Sequence, residues 1–212
     1  GGGAELELPV ITHGDLTVSG QQGRLSADRE VATIQGSVRI ADPERVILAE
    51  HGVYRRTARL LDLVGNVRGT GPEGEFRSDE LNWDRLAGRL ILRGEPRLIE
   101  PERLLWAQRV EYNTVDQTGV ALGEVRILLL PDSTWAYGDR TRYDRRASTS
   151  VLTGEPYLIS PGRPGEPDLR VDADTLRLQE ADETGIALGN VRIERGPQIG
   201  RASCRERVSV VV

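Results

Sequence analysis

One short pattern, written six times, constrains this chain more than anything else in it. Gly65-Asn66-Val67-Arg68 has counterparts in Gly36-Ser37-Val38-Arg39, Gly94-Glu95-Pro96-Arg97, Gly123-Glu124-Val125-Arg126, Gly154-Glu155-Pro156-Tyr157 and Gly189-Asn190-Val191-Arg192. The glycines are spaced by 29, 29, 29, 31 and 35 residues. A period of about thirty residues marks a repeat architecture, in which each unit buries its apolar face against its neighbours.

Within a unit the period is two. In Ala32-Thr33-Ile34-Gln35-Gly36-Ser37-Val38-Arg39-Ile40 the even positions are apolar or Gly and most odd ones are polar, as in a half-buried strand. The same register returns in Leu61, Leu63, Gly65, Val67, in Leu90, Leu92, Gly94, Pro96, Leu98, and in Ala121, Gly123, Val125, Ile127. It continues in Leu152, Gly154, Pro156, Leu158 and in Ala187, Gly189, Val191, Ile193. The opposite face carries Arg39, Arg68, Arg97, Arg126 and Arg192, so one side of the sheet is expected to be greasy and the other wet.

Each unit holds a second strand. A small residue (Gly20, Ala49, Ser78, Ala107, Gly138 or Ala173) lies 16 positions before each glycine, and five residues after it comes Leu25, Tyr54, Trp83, Tyr112, Tyr143 or Leu178. The four inner units thus carry an aromatic where the two outer ones carry Leu, as terminal repeats do. Asp84, Asn113 and Asp144 follow directly as turn formers. Six two-strand units from about residue 16 to 194 give about twelve strands and an all-β fold, since no segment shows a 3.6-residue period.

The longer units carry their extra residues just after the Gly strand, near Leu130-Pro131-Asp132-Ser133 and in the Pro/Gly loop from Ser160 to Pro167, which marks a rim. Residues 1–10 read as a flexible lead-in, 11–195 as the repeat domain and 196–212 as a non-repeat tail. The tail, with the single Cys204, resembles translated sequencing-adapter read-through. The start, without Met or a signal-peptide apolar region, reads as trimmed.

Net charge is −5, which offers no global basic field to nucleic acid. All the basic residues are Arg, interspersed with Asp and Glu as on a solvated face. No apolar run approaches the roughly 18 residues of a membrane-spanning helix. His13 and His51 fall at different repeat positions, and an outward strand position accounts for His51, which matches Gln22, Glu80 and Arg109 elsewhere. No Gly-x-Ser-x-Gly elbow, P-loop or His-Glu-x-x-His occurs. Asp172, Asp174 and Asp182 lack the glycine and terminal glutamate of a calcium loop. No metal or cofactor is implied, and the chain reads as non-enzymatic.

Tyr54, Trp83, Trp106, Tyr112, Trp135 and Tyr143 could form a stacking platform, but acidity argues against bases and the fixed repeat position argues for interior packing. Glycine inside a strand marks a bend or a close approach. Two compatible readings follow. The glycines form a stacked line of bends that closes two sheets over a core, or their missing side chains leave an aliphatic slot in the interior suited to lipid chains.

The pattern small-x-x-x-x-(Tyr/Trp)-(Asp/Asn), followed by a strand ending in Gly-Asn-Val-Arg-Ile, resembles the OstA-like (LptA-type) lipopolysaccharide-transport proteins over about residues 12–194. The resemblance implies a β-jellyroll whose interior shields lipopolysaccharide acyl chains. It also implies a periplasmic location, and partners consisting of lipopolysaccharide and other jellyroll domains joined by edge-strand pairing, including head-to-tail copies of itself. Carried onto this sequence, the lipid-lining stripe is Ile34, Val38, Tyr54, Leu61, Leu63, Val67, Trp83, Leu90, Leu92, Leu98, Tyr112, Val125, Ile127 and Leu152. Gly-Glu-Pro in units three and five departs from Gly-Asn-Val and leaves open which member of such a bridge this is. Two rivals stand beside this reading. A structural module polymerising through its edges would have a tightly filled interior. A carbohydrate-active domain would cluster carboxylates beside an exposed Trp106 or Trp135.

Overall fold

The computed structural model describes residues 3–72, 74–179, 184–196, 198–200 and 208–211. Among them every helical or strand element is a strand, and the fold is all-β and antiparallel, as the repeat implies. The chain forms two compact units, Gly1–Glu100 with Glu111–Val115, and Pro101–Val110 with Asp116–Val212.

The first unit contains β1 (Ala4–Glu7), β2 (Val10–His13), β3 (Leu16–Ser19), β4 (Gln22–Leu25), β5 (Val31–Ala41), β6 (Val46–Arg55), β7 (Leu60–Gly71), β8 (Gly74–Asp84), β9 (Arg89–Arg93) and β10 (Arg97–Ile99). Next come β11 (Arg103–Trp106) and β12 (Arg109–Asn113), whose residues divide between the units. The second unit continues with β13 (Thr118–Leu129), β14 (Thr134–Asp144), β15 (Thr149–Thr153), β16 (Tyr157–Ser160), β17 (Leu169–Asp172) and β18 (Thr175–Gln179). It ends with β19 (Thr184–Leu188), β20 (Arg192–Arg195), β21 (Gln198–Gly200) and β22 (Val208–Val211). The twelve strands of the six repeats are all present. Six run unbroken (β5 to β8, β13 and β14), and six are divided in the middle into pairs such as β9/β10 and β15/β16. In those two examples the break precedes Pro96 and Pro156, which have no N–H to give the ladder.

The break and the unbroken bulge have one cause. In every repeat the Gly and the residue after it both adopt left-handed backbone: Gly36 and Ser37 (φ 71° and 49°), Gly65 and Asn66 (87° and 46°), Gly94 and Glu95 (76° and 51°). The same holds for Gly123 and Glu124 (75° and 46°), Gly154 and Glu155 (79° and 50°), and Gly189 and Asn190 (72° and 45°). This inserts a bulge in which two residues oppose one, Gly36-Ser37 against Glu50, Gly65-Asn66 against Asp79 and Gly123-Glu124 against Asp139. A bulge bends its strand, and stacked bulges bend the sheet along a line.

Across that crease each strand changes partners. β5 pairs with β4 through Ala32–Gln35 and with β3 through Arg39–Ala41. β14 pairs with β16 through Trp135–Tyr137 and with β15 through Arg140–Asp144. Each unit is therefore two half-sheets folded over one core. The stretches at either end of the repeats join them: β1 pairs with β4, β2 with β3, β21 with β20 and β22 with β19. Leu8, between β1 and β2, has φ 48° and marks the same crease without a glycine.

The interior-slot reading of the glycines fails. A Cβ on Gly65 would lie 2.5 Å from Glu50 Oε2, and one on Gly94 would lie 2.5 Å from Asp79. Gln21, Gln108, Asp139 and Asp174 occupy the same place over Gly36, Gly123, Gly154 and Gly189, and all six of these polar residues are exposed. The glycines face outward, and they leave room for a polar side chain rather than for a lipid. They are the line of bends.

Gly65→Ala imposes both a left-handed alanine, at about 1–2 kcal/mol, and a collision with Glu50. Gly165 has the same backbone (φ 88°) but open space around it. Urea denaturation should show a larger stability loss for Gly65→Ala than for Gly165→Ala, and Glu50→Ala/Gly65→Ala, which removes the carboxylate but keeps a Cβ 2.9 Å away, should recover part of the excess. Equal losses would refute the collision.

Candidate functional site

The interior of the first unit is built in rows that run across the strands. Ala32, Tyr54, Leu61, Trp83 and Leu90 form one row of facing residues, and Ile34, Gly52, Leu63, Leu81 and Leu92 form the next. Beyond the crease lies a third row, Ile40, Ile47, Gly69, Phe76 and Leu98. Gly69 is required there because the Phe76 ring occupies the space of its missing side chain.

Of the expected stripe, Ile34, Val38, Tyr54, Leu61, Leu63, Val67, Trp83, Leu90 and Leu92 all point inward and are buried, with Val38, Leu61 and Val67 fully enclosed. Leu98 and Tyr112 are half-buried. In the second unit Val125 is buried opposite Gly138, Leu152 in a row with Ala121, Thr141 and Leu176, and Ile127 in a row with Leu105, Ala136, Leu158 and Val171. Each fully buried aliphatic side chain contributes about 1.5–3 kcal/mol, so the stripe is also the core.

The stripe omitted Ile40, Ile47, Phe76, Leu81, Leu105, Leu158 and Val171. Most of these lie on the strand that precedes the Gly strand, where the inward set shifts phase. Ile47 and Ala49 give way to Gly52 and Tyr54, and Phe76 and Ser78 to Leu81 and Trp83. The step of three comes where this strand passes the bulge. The signal was a polar residue 15 positions before every glycine, Gln21, Glu50, Asp79, Gln108, Asp139 and Asp174, directly after the small one.

Polar groups enter the interior at particular points. In the first unit the β2–β3 hairpin reaches across to the other half-sheet. His13 Nδ1 is hydrogen-bonded to the Tyr54 hydroxyl, whose pKa burial pushes up, and Arg85 Nη2 donates to Asp15 Oδ1 at 2.9 Å. The Arg85 guanidinium also lies 5.2 Å from the Trp83 ring centre. In the second unit Arg103 is 2% exposed on the inward face. Its guanidinium lies 3.6 Å from the centre of the Tyr143 ring, and Nη1 donates to Ser150 Oγ at 3.1 Å. Buried charge demands such compensation. His51 is exposed.

The outer faces of the two units differ. The first carries Arg39, Leu48, Arg68, Arg77 and Arg97 in one row. On the second, Trp106 and Trp135 are half-exposed, against the expectation that they pack inside. Each directly precedes an inward residue, Ala107 and Ala136, and alternation turns it outward. Trp106, Trp135, Tyr137 and Tyr157 stack in series, with centroids 5.6, 5.9 and 4.6 Å apart. Arg126 and Arg170 lie over the end rings at 5.9 and 4.1 Å.

Arg170 Nη2 donates to Asp172 at 2.6 Å, and Asn190 donates to Asp174 at 2.9 Å, while Asp182 lies outside the described residues. Among the described residues no group of three His, Cys, Asp or Glu is arranged to hold a metal ion.

No protein-family model matches the chain, and no curated protein matches it. Among solved structures it is similar to the crystal structure of LptH, the LptA-homologous periplasmic component of the lipopolysaccharide transport device of Pseudomonas aeruginosa. The identity is 16%, the TM-score is 0.48, and the match covers 65% of this chain and 93% of that one.

The Arg85 hydrogen bond holds the Asp15 carboxyl below its ordinary value of 3.8. The clasp is therefore intact above that pH and is lost as pH falls through the lower folded-state value. Hydrogen exchange should show protection of β2 amides that declines below about pH 4. In Asp15→Asn that protection should already be reduced at neutral pH, with no acid step. An unchanged profile in the variant would remove the clasp from the account.

Proposed function

We propose that this chain is a non-enzymatic, periplasmic lipopolysaccharide-transport jellyroll that shields acyl chains between its half-sheets. The observation that carries the reading is the aliphatic lining that both half-sheets turn inward along each crease. It is supported by the sequence pattern shared with OstA-like proteins. The terminal strands add a second support: β1, β2, β21 and β22 each have one pairing partner among the described residues. An unpaired strand edge is a template for strand addition, and Leu8 and Val10, at this edge, are 75% and 68% exposed. Other jellyroll domains, or further copies of this chain, are the partners such edges fit.

The lining is closed, so a lipid enters only if the half-sheets part along the crease. Parting exposes about six aliphatic side chains at about 1.5–3 kcal/mol each. An acyl chain of about a dozen methylenes returns roughly 0.8 kcal/mol per CH₂. The two sums are comparable, which suits a protein that must both take up and release its cargo. The filled interior also favours a second reading, a structural module that polymerises through its edges without lipid.

Photo-crosslinking to lipopolysaccharide separates the two. With a photoreactive residue at Leu63, Leu92 or Ile127, and Arg68 and Arg97 as outward controls, labelling is expected from the inward positions alone. Absence of labelling at every inward position in folded protein would leave the polymerising module as the better account.

A further inference from the structure

The outer face of the second unit holds a groove of about 390 Å³ lined by Glu124, Val125, Arg126, Tyr137, Gly138, Asp139, Gly154, Glu155 and Tyr157. That volume lies within the ~300–1,000 Å³ of small-molecule sites. It lies along the crease, where the left-handed pairs at Gly123-Glu124 and Gly154-Glu155, with Asp139 between them, bring three carboxylates from neighbouring strands to its lining. The lining also holds two tyrosines. Tyr137 and Tyr157 stack with centroids 4.6 Å apart and planes 14° apart, so they turn edges and hydroxyls, rather than ring faces, outward from the stack.

We propose that this groove binds a hexose unit of a neutral or amino-bearing oligosaccharide. Paired hydroxyls of a pyranose donate to carboxylates, Arg126 donates to ring or hydroxyl oxygens, and the tyrosine hydroxyls add further polar partners. The Tyr137 hydroxyl, whose pKa is raised by burial and by Tyr157, remains a donor. Three carboxylates against one guanidinium leave the lining acidic, which selects against uronic acids and phosphorylated sugars. Gln108 already donates to Glu124 Oε1 at 3.2 Å, which orients that carboxylate and leaves Asp139 and Glu155 as the principal acceptors. The site is separate from the interior, and the lipid reading neither requires nor excludes it.

Saturation-transfer NMR with chitotetraose, cellotetraose and tetragalacturonic acid tests the proposal without any lipid. Saturable binding of chitotetraose or cellotetraose is expected, with tetragalacturonic acid inert. Affinity should fall about tenfold or more in Asp139→Asn and in Glu155→Gln, near-isosteric surface changes whose folding is checked by near-ultraviolet circular dichroism. Glu50→Gln, at the same repeat position in the first unit, should bind as wild type. The proposal is overturned by no binding of either uncharged sugar to folded protein, by equal binding of the acidic one, or by unchanged affinity in both groove variants. Because the probes carry no acyl chain, none of these outcomes bears on the interior.

Discussion

Left-handed backbone at two successive residues, repeated in register on neighbouring strands, is the constraint on which the rest depends. A single such bulge would twist one strand, but six at a period near that of the repeat define a line. The first residue of each pair is Gly because a Cβ there meets both the forbidden backbone region and a neighbouring side chain. The second is Ser, Asn or Glu and bears the cost of the conformation. A hydrogen bond across the crease accompanies it in several repeats, from Gln108 to Glu124 and from Asn190 to Asp174. Two residues after each glycine stands Val or Pro, buried in all six copies, which pins the far side of the bend into the core.

From that line follow two surfaces of opposite character. Inside, half-sheets meet through aliphatic rows, and the buried Arg103 is compensated by Tyr143 and Ser150. Outside, the crease gathers its polar side chains into a column, which in the second unit runs beside an aromatic stack. A closed aliphatic interior and a polar exterior column are thus products of one backbone device.

Much of this was legible from residue order. The period, the alternation and the inward positions of Leu63, Val67 and Leu92 follow from the pleat, because side chains two apart share a face. The phase shift beside each bulge was not, because Leu81 and Trp83 obey the alternation locally while Ser78 lies three residues before Leu81. Trp106 and Trp135 were misread for a related reason. A fixed repeat position argued for the interior, but their parity relative to Ala107 and Ala136 decides the face. Arg103, inward by the same parity as Leu105, was hidden by its charge.

The sequence by itself determined the repeat, the all-β class and which positions alternate, since these depend on spacing and on the intrinsic preferences of Gly, Pro and apolar residues. Only the tertiary structure decided which way the glycines face. It also decided that the pattern closes two half-sheets over a filled core, and that Glu124, Asp139 and Glu155 line one groove with Tyr137 and Tyr157. Those outcomes depend on strand register, and register brings together residues far apart in the chain through contacts that no local pattern records.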